Sequence, residues 1–75
     1  MPLTAELNRL AGTTDLSAQG AANAWAGTTD LDLVAALNVQ AGNTLPNYLA
    51  LQGVLNQLAG ATDLAVDAAA EAIVA

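Results

Sequence analysis

The sequence predicts an all-α protein: a compact bundle of about five short helices built from fifteen-residue repeats. Three observations predict it. Gly12, Gly27 and Gly42 are fifteen residues apart, and Gly60 follows after eighteen. Asn8, Asn23, Asn38 and Asn56 each stand four residues before one of these four glycines, and an alanine directly precedes each of the four. The segments between are rich in alanine and show no strict alternation of apolar and polar residues, which disfavours strand.

These periods divide the chain into one domain of five units, 1–12, 13–27, 28–42, 43–60 and 61–75. Each unit reads as one helix. The Ala-Gly end is a stop, because glycine accepts the left-handed conformation after a last helical turn. Thr-Thr-Asp at 13–15 and 28–30, and Ala-Thr-Asp at 61–63, read as starts whose side-chain oxygens accept from free first-turn amides. Thr14, Asp15, Thr29, Asp30, Thr62 and Asp63 are therefore the expected helix caps, with the carboxylates also favoured by the helix dipole. Thr29 with Asp32 forms a near capping box.

Unit 1 is expected to start at Thr4, with Pro2 just outside. Unit 4 opens Asn43-Thr44-Leu45-Pro46-Asn47, a longer turn with its helix expected from near Asn47, since proline is tolerated only near a helix beginning. In unit 5 Glu71 replaces the asparagine, and the next glycine would fall at Ala75. Helices this short do not persist alone and must pack on one another. A coarser match of Leu16-x-x-Gln19-Gly20-x-x-Asn23 with Leu49-x-x-Gln52-Gly53-x-x-Asn56 suggests two helix hairpins preceded by a lone first helix. An open solenoid is the alternative, although the units are few for one.

The regular asparagines are expected to be structural, bonded to the turn of a neighbouring unit, because a buried amide needs partners. Gly20 and Gly53 lie inside predicted helices, where glycine is unfavourable by about 1 kcal/mol against alanine. Their recurrence suggests two helices crossing closely there. Trp25 stands where other units place Leu10, Leu58, Ile73 and Gln40. That position is core or half-buried, and a tryptophan there is also a candidate partner contact. Tyr48 lies in the irregular turn and is a second candidate. Leu33, Leu37, Val39, Leu51 and Val66 fall off the stripe set by Leu31, Leu49 and Leu64. An exposed apolar patch is expected among them, the kind of surface that marks a contact. The candidate partner contacts are thus Trp25, Leu33, Val39, Tyr48 and Leu51.

Composition narrows the function. The chain is 55% hydrophobic and 11% charged, too apolar for disorder. Arg9 is the only base against seven carboxylates, for a net charge of -6. That surface repels phosphate and anionic lipid, so neither nucleic acid nor membrane is an expected partner. No cysteine and no histidine are present, so disulfides and the usual zinc sets are not expected. With no lysine and a single serine, Ser17, that no base activates, an enzyme is not expected, nor a cofactor or metal. No basic start precedes an apolar stretch in Met1 to Leu10, so no signal peptide is expected. A domain of 75 residues buries a limited core, which makes a partner chain the expected support.

With its repeat laid out, LNRLAGTTDLSAQGAANAWAGTTDLDLVAALN at 7–38, joined by LNQLAGATDL at 55–64, resembles a helical repeat of small virion proteins from tailed phages that infect actinobacteria. That repeat typically reads LAGTTGL. Here Asp15, Asp30 and Asp63 replace the glycine after the threonines, and unit 4 departs further. The resemblance implies a phage structural protein, assembled in the host cytoplasm and located in the virion. It implies a minor capsid or decoration protein that binds and stabilises the head shell, with the major capsid protein or another virion protein as partner, and with a homo-oligomer on the particle as one arrangement. The alternative it leaves open is a tail or fibre module contacting the host envelope or another virion protein.

Overall fold

The computed structural model of the chain describes residues 2–74. It is all-helical, with α1 (Leu3–Ala11), α2 (Ala18–Ala26), α3 (Leu33–Ala41), α4 (Leu51–Ala59) and α5 (Val66–Val74). Each helix has nine residues, about 13.5 Å of helix at 1.5 Å per residue. Among the described residues there is no strand.

The first four helices end alike. Gly12, Gly27, Gly42 and Gly60 take φ of 74°, 77°, 83° and 71°. The residue after each glycine donates its backbone N–H to the carbonyl of the unit's asparagine, at 2.9 Å in all four. This is the Schellman closure, which satisfies carbonyls that a helix end leaves open. Ala75, where a fifth stop was expected, lies outside the described residues.

Each helix packs on its neighbours in sequence, and α5 packs on α1, so the five helices close into a ring. Among the described residues, the backbones of helices that are not neighbours in the ring do not approach closely, and only side chains meet at the centre. The ring is a flattened plate of 29 × 25 × 14 Å. Closure overturns the expected grouping: α1 is not a lone helix before two hairpins but sits between α2 and α5.

The core lies at the centre and is built in register. Leu7, Ala22, Leu37, Leu55 and Ala70 occupy one repeat position, five residues before the glycine or its expected place, and are all fully buried. The preceding position holds Ala21, Ala36, Val54 and Ala69, equally buried, and Glu6 in α1. Glu6 is 3% exposed and lies 3.5 Å from the Arg9 guanidinium. Leu33, Leu51 and Val66 are half-buried against this core. Most of the expected off-stripe patch is therefore interior: Leu37 is buried, and only Val39 of that set is substantially exposed. A helix in a ring has a neighbour on either side and the centre in front. Its apolar face is accordingly wider than the stripe needed between two helices.

Candidate functional site

The joints between helices are the most repeated local structure. Asn8 donates from Nδ2 to the carbonyls of Thr4 and Leu16, both at 2.9 Å. Its Oδ1 accepts from the Thr13 hydroxyl at 2.7 Å and from the Leu16 backbone N–H at 3.0 Å. One amide thus ties down its own helix, the first residue of the joint, and both backbone polar groups of the leucine that ends the joint. Asn23 does the same with Gln19, Thr28 and Leu31. Asn38 does it with Val34, Asn43 and Leu49, Asn43 supplying an amide where the earlier joints supply a threonine hydroxyl. Asn56 holds Gln52 and Leu64, but Ala61 has no side-chain donor, so this clamp is one bond short. The four asparagines are at most 5% exposed. Bonding of this completeness is what allows a buried amide.

The clamp explains why the helices start later than the threonines suggest. Thr13 and Thr28 give their hydroxyls to Asn8 and Asn23. The captured leucine is two residues before the first helical residue in each joint. Helix α2 starts behind Ser17, whose Oγ accepts from the Gly20 N–H at 3.1 Å. Helix α3 starts behind Asp32, whose Oδ1 accepts from the Ala35 N–H at 2.8 Å. Thr14, Asp15, Thr29, Asp30, Thr62 and Asp63 are therefore not caps; they lie in exposed bends of the joints. Asp32 is itself the cap rather than the third residue of a capping box opened by Thr29. The caps of α1 and α4 are Pro2 and Ala50, neither with a side-chain bond, and α4 starts at Leu51 rather than near Asn47. Ser17 and Asp32 carry ordinary capping chemistry, one residue before the helix. The stronger Thr-Thr-Asp signal hid them.

Gly20 and Gly53 do not mark a helix crossing. A Cβ at either position would meet the joint leucine of the same unit, Leu16 Cβ or Leu49 Cβ, both at 3.5 Å. The two leucines lie over the first turn of their helices and remain 40% and 41% exposed.

The third joint departs from the others. Between Asn43 and Leu49 it carries three more residues than the first joint, and Leu45-Pro46-Asn47-Tyr48 stands where the other joints place an aspartate. The insertion does not disturb the clamp, since Asn38 still holds both polar groups of Leu49, at 2.8 and 3.0 Å. A reciprocal amide pair between Asn43 and Gln57 ties the start of the joint to α4 at 2.8 and 3.2 Å. What the insertion adds is surface: Leu45 is 73% exposed, the most exposed of the large hydrophobic residues. Tyr48, three residues further on, is half-buried.

Of the expected partner contacts, Val39 is 37% exposed, while Trp25, Leu33 and Leu51 are half-buried against the core. Leu16, Leu45 and Leu49 are exposed apolar residues not among those candidates. The position of Leu45 beside the proline of an insertion was the available signal. Among the described residues no cavity is found, and no three acidic side chains are placed to share a metal ion. No helix is long and apolar enough to cross a membrane.

No protein-family model matches this chain, and no curated protein or solved structure is significantly similar to it.

Proposed function

We propose that this protein is a structural component of a phage virion, a minor capsid or decoration protein that adheres to the outside of the head shell. The observation that carries the reading is apolar surface beyond what the fold consumes. Leu16, Val39, Leu45 and Leu49 stay exposed on a chain whose ring already closes its core. The resemblance of the Ala-Gly-Thr-Thr joints at 11–14 and 26–29, with Ala-Gly-Ala-Thr at 59–62, to a virion repeat points to where such surface would be covered. A thin plate offers broad faces relative to its volume. Apolar area buried against a shell protein contributes roughly 25 cal/mol per Å². A plate spanning two shell subunits raises the work needed to separate them. The role is adhesive, involves no catalysis or cofactor, and places an acidic surface away from packaged DNA.

The experiment is to purify particles with and without the protein and heat them. Particles lacking it should release DNA at a lower temperature. Unchanged heat resistance, with the protein present in purified wild-type virions, would count against a shell-stabilising role. Retention of the purified protein on host cell wall would then move the assignment to the tail.

A further inference from the structure

The ring is fastened unevenly. Contacts between consecutive helices are each backed by a joint and an asparagine clamp. The contact of α5 with α1 joins the two ends of the chain and has no joint behind it. On its other side α5 depends on the weakest clamp: Asn56 holds Leu64, but Ala61 adds no side-chain bond. Gln52 gives a further bond to the Leu64 carbonyl at 2.9 Å, but an exposed one, which water replaces at little cost. Ala65, directly before α5, has no side-chain oxygen to cap the first turn, whereas α2 and α3 start behind Ser17 and Asp32. What α5 sets into the core is also small. Its fully buried residues are Ala69 and Ala70, where α1 sets Leu7, α3 sets Leu37, and α4 sets Val54 and Leu55. Helix α2 likewise buries alanines, Ala21 and Ala22, but it stands between two complete clamps.

We propose that α5 is a releasable strap, which leaves α4 and α1 and opens the ring while α1 to α4 stay folded. The repeat architecture allows this. Where each unit packs on its neighbours, stability is close to a sum of unit and neighbour contributions, and units can open separately. Release costs the contacts of α5 with α4 and α1 and the Asn56 clamp. The clamps of Asn8, Asn23 and Asn38 lie outside the break. Helix α1 is the other end of the chain, but it is not equivalent. It anchors Leu7 in the core, and Asn8 ties it to Thr13 and to both backbone polar groups of Leu16. Opening therefore proceeds from α5. It turns a closed plate into an arc of four helices, and Leu7 and Leu55, on the two helices that flank α5, lose its cover. The strap does not rest on the virion reading, and its failure would leave that reading as it stands.

The test is hydrogen exchange of the folded chain in rising urea, followed amide by amide. Amides of α5 from Ala69 onward, bonded within the helix, should exchange at least about tenfold faster than those of α2. Their exchange should also respond less to urea, because release exposes less surface than global unfolding. Amides of α1 should be protected like those of α2. Ala61→Thr, which supplies the missing hydroxyl to Asn56, should slow α5 exchange about fivefold. Ser17→Ala removes the cap of α2 and should speed exchange there about fivefold, with α5 unchanged. Equal protection and equal urea response in α5 and α2, opening of α1 as readily as α5, or an equal effect of Ser17→Ala on both helices would overturn the proposal.

Discussion

The side chain of Asn38 holds both backbone polar groups of Leu49, eleven residues along the chain, at 3.0 and 2.8 Å. Asn8 holds Leu16 across eight residues in the same way. The clamp is therefore set by the helix end and the leucine, not by the length of chain between them. That independence lets one joint carry an insertion while the ring stays closed.

Removing a clamp should be costly. Asn23→Ala deletes four side-chain hydrogen bonds and leaves the Leu31 N–H and C=O without their partner. An orphaned, partly buried polar group costs about 1–3 kcal/mol. Urea unfolding should show a loss of about 2–4 kcal/mol, large for a domain of this size. A change under about 0.5 kcal/mol would mean that water replaces the amide.

Completing the fourth clamp should stabilise the protein. Ala61 occupies the place of Thr13 and Thr28, whose hydroxyls reach the clamp oxygen at 2.7 Å. Ala61→Thr lets a hydroxyl reach Asn56 Oδ1, a gain of about 1 kcal/mol. Calorimetry should place Tm about 4–8 °C higher. The same substitution at Ala24, on an exposed helix face without a clamp, should not raise it.

The two kinds of glycine should respond in opposite directions. Gly53→Ala places a Cβ at ordinary contact distance from Leu49, and helix propensity then favours alanine by about 0.5–1 kcal/mol. Gly27→Ala forces a side chain into a φ of 77°, at a cost of about 1–2 kcal/mol. Thermal unfolding of the two variants measures both signs, and a rise for Gly27→Ala would contradict the helix ending described above.

Capping can be partitioned by substitution. Ser17→Ala and Asp32→Ala each remove a hydrogen bond to a first-turn amide and should cost about 1 kcal/mol. Thr14→Ala and Asp30→Ala alter exposed bends and should stay within about 0.5 kcal/mol of the parent. Equal losses in all four would restore the Thr-Thr-Asp segments as caps.

Glycine and asparagine spacing made the helix count, the helix ends and the structural asparagines legible, because these depend on bonds made within a few residues. The starts of the helices were not legible. Thr14, Asp15, Thr29 and Asp30 look like caps until an asparagine from the previous helix takes the hydroxyls of Thr13 and Thr28 and holds the joint leucine, and that amide is in place only once its helix has folded. Val39 and Tyr48 could be singled out by pattern, whereas the exposure of Leu45 depended on the insertion leaving the clamp undisturbed. The breadth of each buried face, which draws Leu33, Leu37 and Leu51 inward, follows from the contact of α5 with α1. No local pattern encodes that contact. It joins the two ends of the chain, and its gain is apolar burial that exists only when all five helices surround one centre.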